Sequence, residues 1–167
     1  MKLSLRDTPY GKGVFAEKHL PANTAVLQFS GEIIPFAEFH RSSFTDDEDH
    51  VIQVGLSSFM APSGGLDDYV NHSCDPNCWL AIESETNVRL ITLREISPEE
   101  ELTFDYSLTS FRDPYPWAMP CSCGTTKCRG TVSNFELQPL EWQQEQLTRG
   151  FVPEYICREI VILSARR

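Results

Sequence analysis

The sequence predicts a mostly-β protein built from several small sheets, with helices confined to its C-terminal end. Two observations carry this. Short stretches of apolar alternation, four or five residues long, dominate the first two-thirds of the chain and are separated by turn formers. Apolar residues at helical spacing occur only near the end, and the 11 prolines and 9 glycines suit many short elements.

In chain order, strands are expected over residues 2–6, 13–16, 25–29, 51–54, 79–82, 88–92 and 101–104. Thr8-Pro9-Tyr10-Gly11, Pro21-Ala22-Asn23, Ser63-Gly64-Gly65 and Asp75-Pro76-Asn77 break the runs between them, and Thr86-Asn87 reads as a hairpin tip. Pro139 can open a helix that runs to about Thr148, with Gly150 as its stop. Pro153 can open a second, in which Val152, Ile156, Ile160 and Leu163 form an apolar face expected to pack on the sheets. Cys157 lies within that face and reads as a small buried hydrophobe.

At 167 residues the chain is one domain by size, large enough for a core without disulfides. No apolar run approaches the roughly 18 residues that a membrane span needs. The polar, charged start Met1–Tyr10 carries no secretory signal, so an intracellular location is expected, cytoplasmic or nuclear. Six cysteines in that setting favour reduced thiols and metal over disulfides. The net charge of −10, from 24 acids against 14 bases, argues against nucleic acid as a direct partner and is compatible with a basic protein or peptide. The acidic runs Asp46-Asp47-Glu48-Asp49 and Glu99-Glu100-Glu101 read as solvated turns.

Chemistry concentrates in four pieces. Cys121, Cys123 and Cys128 are spaced C-x-C-x4-C, and Gly124 permits the chain to turn between them. Two thiols one residue apart bridge each other poorly but can share one ion. Zn²⁺ wants four ligands, so a fourth must come from elsewhere, and Cys74 and Cys78 are the candidates. Cys74 follows Asn71-His72-Ser73, an amide and an imidazole that both donate and accept hydrogen bonds. Gly11-Lys12-Gly13 is a turn that lets backbone approach a ligand. Glu101-Leu102-Thr103-Phe104-Asp105-Tyr106 ends a strand on a phenol.

In this order the pieces resemble the SET-domain protein lysine methyltransferases over about residues 3 to 132. The resemblance rests on Gly11-x-Gly13, on Asn71-His72-Ser73-Cys74 and on the run from Glu100 to Tyr106. It also rests on a cysteine tail, Cys121-x-Cys123-Gly124 to Cys128-Arg129-Gly130, that looks like the family's zinc-binding post-SET segment. It implies a SET (β-clip) fold in which the Asn71-His72 segment and the segment ending at Tyr106 form a pseudoknot. It implies a division into a SET domain over residues 1–115, a zinc-binding segment over 116–133 and a helical extension over 134–167.

The resemblance further implies S-adenosylmethionine as cosubstrate, held by Gly11, Lys12, Gly13, Tyr69, Asn71, His72 and Tyr106, with Tyr106 as the catalytic residue. Cys74, Cys121, Cys123 and Cys128 are the implied ligands of a structural Zn²⁺, which leaves Cys78 outside. Phe104 and Tyr106 would line the lysine channel; a phenylalanine at position 104 implies di- or trimethylation of a protein lysine, on a histone tail or another basic segment. Trp117 and Val132 flank the cysteine cluster and would cover the adenine or the channel, or simply pack. The family usually carries an arginine where this chain has Asp68, ahead of Tyr69-Val70. The stretch between Pro35 and Gly65, where the family places its substrate-facing insert, is short. A reading from another class is a catalytically weak zinc-stabilised module that binds peptide or cofactor in the same groove.

Overall fold

The computed structural model describes residues 3–39, 50–113 and 117–165. Five small sheets, none larger than three strands, are laid down among the described residues. Strands β1 (Leu3–Thr8) and β2 (Gly11–Ala16) form a hairpin in which Leu3 faces Ala16 and Thr8 faces Gly11. β3 (Ala25–Phe29), β9 (Asn87–Thr92) and β8 (Cys78–Ser84) make a three-stranded antiparallel sheet with β9 in the centre. β4 (Ile33–Pro35), β6 (Ser58–Met60) and β5 (Ile52–Gly55) make another.

Two short pairs position the site. β7 (Asn71–His72) runs parallel to β10 (Thr103–Phe104), and the Ser73 N–H continues the ladder to the Phe104 carbonyl at 3.1 Å. This pair joins the two segments expected to form the pseudoknot. β11 (Ala118–Pro120) pairs antiparallel with β12 (Thr131–Ser133), closing a loop that carries Cys121, Cys123 and Cys128.

The helices form as read from their punctuation. Pro139 caps α1 (Leu140–Arg149), and Gly150 ends it with φ +73°, its N–H returning to Gln146 and Leu147. α2 (Glu154–Ala165) follows directly after Pro153. Its apolar face packs chiefly on a second core rather than on the sheets, with Tyr155 reaching the Gln53 carbonyl of β5 at 3.2 Å. Val152 and Ile156 enter that core with Leu108, Phe111 and Phe135, built from chain that follows Tyr106, with Ile160, Leu163 and a half-buried Cys157 beside them. The main core, with Val14, Leu80, Leu90, Ile96, Leu102 and Phe104, lies between the sheets. Each fully buried side chain of this size contributes roughly 1.5–3 kcal/mol, so the second core is a substantial anchor for the tail.

Several expectations shift. β1 and β5 extend beyond 2–6 and 51–54, and the last strand shrinks to Thr103–Phe104, with Glu101 only bridging to Phe15. The β8–β9 turn sits at Glu85-Thr86, one residue before the expected tip. β4, β6, β7, β11 and β12 have two or three residues each, too few to show alternation. The run Glu99-Glu100-Glu101 is solvated only at its start: Glu99 is exposed beside Arg6, while the half-buried Glu100 pairs with Arg94 and Asn77, and Glu101 with Asn71. The run 46–49 lies outside the described residues. Among the described residues no helix is long and apolar enough to cross a membrane.

Candidate active site and cysteine centre

The turn itself falls at Pro9-Tyr10, and Gly11-Lys12-Gly13 is the extended start of β2, set against β7. A Cβ on Gly13 would lie 2.3 Å from Glu101 Oε1 and 3.0 Å from Asn71 Nδ2, so only glycine lets these groups close. Asn71 Nδ2 donates to the Lys12 carbonyl at 2.9 Å and to Glu101 Oε1 at 2.7 Å. The Lys12 ammonium points away, 3.8 Å from Asp7 and half exposed, so Lys12 offers the site its backbone. Tyr69, at the end of a short 3-10 turn (Leu66–Tyr69), stands two residues before Asn71, its ring 5.4 Å from that of His50.

His72 is oriented by its neighbours. Its Nδ1 accepts the Tyr106 N–H at 3.2 Å, which puts the ring proton on Nε2, 3.3 Å from Cys74 Sγ. Burial pushes the imidazole down to about 4, with Asp105 pulling the other way, so the ring is neutral at physiological pH. A ring committed on both nitrogens leaves the His72 backbone to meet a ligand.

Tyr106 opens a 3-10 turn (Tyr106–Leu108) immediately after β10. Its hydroxyl donates to the Val70 carbonyl at 2.9 Å, and burial, then Glu101, push the phenol above its ordinary value. The phenol is therefore protonated at neutral pH and is not a base. It lines a cavity of about 170 Å³ with Phe29, Phe104, Val70 and Trp117. Phe104 meets Phe29 edge-to-face at 6.0 Å, and the Trp117 Nε1–H is anchored on Ser110 Oγ at 2.9 Å. Val132, by contrast, is wholly buried. Asp67, Asp68 and Asp113 also line this cavity. Asp68, where the family has arginine, accepts the N–H groups of Ser63 and Gly64 at 3.0 and 2.7 Å and so closes the turn before it.

The cysteine centre assembles from β7's exit and the β11–β12 loop. The Sγ atoms of Cys74, Cys121, Cys123 and Cys128 all lie within 4.8 Å of one another, with Cys74 and Cys121 3.6 Å apart. Thiolates on a tetrahedral Zn²⁺ with arms of about 2.3 Å stand about 3.8 Å apart, so the set fits that ion. Gly124, at φ +71°, makes the turn that brings Cys123 and Cys128 together. Burial and neighbouring thiols push Cys121 up; in Cys123 burial is outweighed by the Thr125 hydroxyl and backbone N–H groups, which bring it down to about 6. A divalent cation is what lets such a set ionise together. Cys78 lies outside the cluster, fully buried and pushed up to about 12 by that burial.

Three residues that the sequence reading quoted only as parts of motifs make contacts at the site that it did not foresee. The Tyr10 hydroxyl donates to the Ser122 carbonyl at 2.6 Å and ties the glycine turn to the cysteine loop. Glu101 holds Asn71, and Arg129 holds Asp105, beside Tyr106. Each partner is remote in sequence, so no local spacing signals it.

The small sheets, the β7–β10 junction and the four-thiol loop define a cysteine-clamped β protein with a phenol-lined cavity. Residues 11–107 match the model of the SET domain, and the chain belongs to the SET domain family. Histone-lysine N-methyltransferase ATX2 of Arabidopsis thaliana is 27% identical over 146 residues, covering 77% of this chain and 13% of that protein. Histone-lysine N-methyltransferase trr of Drosophila melanogaster is 32% identical over 134 residues, covering 71% of this chain and 5% of that protein. Among solved structures, KRYPTONITE in complex with mCHH DNA, an H3(1-15) peptide and SAH superposes with a TM-score of 0.61 at 23% identity, over 78% of this chain and 29% of that one.

Proposed function

We propose that the chain is an S-adenosylmethionine-dependent protein-lysine N-methyltransferase, acting on a lysine of a histone tail or another basic segment. The observation that carries this is Tyr106: a protonated phenol fixed on the Val70 carbonyl, at the wall of an aromatic cavity, next to the Asn71-His72 strand. On this reading residues 1–115 form the SET unit, 116–133 the zinc-binding segment and 134–167 a helical brace. Histone-modifying relatives support a histone tail as substrate and an intracellular setting.

When bound, S-adenosylmethionine supplies an electrophilic methyl group on a sulfonium. The backbone of Gly11, Lys12 and Gly13, the Asn71 amide, the His72 backbone and Tyr69 would hold it, with Tyr106 nearest the methyl. A free lysine titrates near about 10.4, so the chain must favour the neutral amine. The apolar walls of Phe29, Phe104 and Trp117 do so by withholding water from the ammonium. The Tyr106 hydroxyl, already donating its hydrogen bond to the Val70 carbonyl, turns a lone pair to the incoming amine and orients it. Phe104 brings no hydroxyl to hold a water beside the amine, which leaves room for a second and third methyl.

A protein array treated with tritiated S-adenosylmethionine tests the reading. Label is expected on lysine in basic segments with the wild type and not with Tyr106→Phe. Cofactor binding without label on any target would overturn it.

A further inference from the structure

Arg129 directly follows the last cysteine of the centre, yet its side chain leaves the loop and is only 9% exposed. A buried guanidinium is costly unless its donors are met, and here they are met in one direction. Nη1 and Nη2 donate to Oδ2 and Oδ1 of Asp105 at 2.6 and 2.7 Å, and Nη2 reaches Ser107 Oγ at 3.3 Å. Nε donates to Gln138 Oε1 at 2.8 Å, and the guanidinium carbon lies 4.3 Å from the ring centre of Trp142 in α1. The Arg129 backbone N–H, meanwhile, donates to Cys74 Sγ at 3.4 Å.

Asp105 and Ser107 are the two sequence neighbours of Tyr106. One guanidinium thus holds both flanks of that residue, while His72 holds its backbone N–H. We propose that Arg129 is a positioning residue for Tyr106, and that the cysteine centre and helix α1 act on the candidate site through it. Asp105 is the lever: its Oδ1 also accepts the Ser107 N–H and faces His72 Nδ1 at 3.6 Å. If the fork shifts, the turn that aims the phenol shifts with it. Lysine cannot replace arginine here, because an ammonium is a point charge without the planar fork or the ring-stacking face. The inference rests on the reading of Tyr106 as the residue at the methyl.

Arg129→Lys, Trp142→Leu and Asp105→Asn separate positioning from plain stability. The 167-residue chain is assayed with core histones and S-adenosylmethionine, beside zinc content and amide exchange of the segment 103–109. Arg129→Lys is expected to keep one zinc per chain and the KM for S-adenosylmethionine within about twofold, while kcat falls about 10- to 100-fold. Exchange across 103–109 should speed up, with the β8–β9 sheet unchanged. Asp105→Asn added to Arg129→Lys should cost little more, because the two act as one unit. A residue serving stability alone would lower the melting temperature and leave kcat of the folded protein intact; that result, with unchanged exchange at 103–109, overturns the inference. Should Arg129→Lys fail to fold, Trp142→Leu keeps the ion pair and is expected to show the same two effects at severalfold size; no change in either would again overturn it. If the wild type transfers no methyl at all, the proposed function fails, while the exchange data still judge Arg129.

Discussion

At Tyr106 two constraints meet in one side chain: burial keeps the phenol protonated, and the Val70 carbonyl accepts its hydrogen bond, which fixes where the lone pairs point. Tyr106→Phe removes that acceptor with little change in shape, so kcat is expected to fall about 100-fold or more, with S-adenosylhomocysteine affinity by calorimetry unchanged. His72 makes a pH prediction. Its folded value of about 4 lies below the unfolded value of about 6.5. The unfolded chain therefore takes up a proton first as pH falls, and stability that is full above 6.5 is lost on the way down through 4. The difference is worth about 3 kcal/mol, and Asp105, Arg129 and Cys74 are the groups that face the ring. Urea unfolding at pH 7 and pH 4 should show a smaller loss for His72→Gln than for the wild type. Residue type and spacing singled out Asn71, His72, Tyr106 and the cysteines, and the fold brings these residues close together. The task of the His72 ring was not legible, because both its partners are defined only once β7 and β10 lie side by side.

Among the elements, the β11–β12 loop is held at its base by a two-stranded ladder and at its tip by four thiols, three of its own and Cys74 from across the site. Metal removal should therefore loosen this loop first. A strong chelator is expected to raise amide exchange over 117–133 and abolish activity while β8–β9 stays protected; equal loss of protection in both would show that the centre holds the whole fold. α2 works as a second anchor through Ile156, fully buried among Leu108, Phe111 and Phe135. Ile156→Ala should cost about 2–5 kcal/mol, read by chemical denaturation. The helices were legible because Pro139, Gly150 and Pro153 punctuate them. Their docking partner was not: the second core is assembled from the irregular chain after Tyr106, which carries no periodic signal. The two- and three-residue strands β4, β6, β7, β11 and β12 were likewise invisible to a period-2 pattern, although they place Asn71 and the cysteine loop.

Across the whole molecule, an acidic chain carries a cavity whose lining combines aromatic rings with Asp67, Asp68 and Asp113, and such negative charge attracts a cationic side chain. The order of four motifs made the family legible from the sequence. The acidic turn made by Asp68 was not, since its hydrogen bonds run to the backbone of Ser63 and Gly64 rather than to a partner that spacing reveals. The central claim is methyl transfer to a lysine by the Tyr106 cavity, and mass spectrometry of core histones incubated with the chain and S-adenosylmethionine tests it most directly. Two or three methyl groups on a single lysine, reduced to one by Phe104→Tyr and to none by Tyr106→Phe, is the expected result. Unmodified lysines throughout, from a zinc-loaded chain that binds S-adenosylhomocysteine, would contradict it.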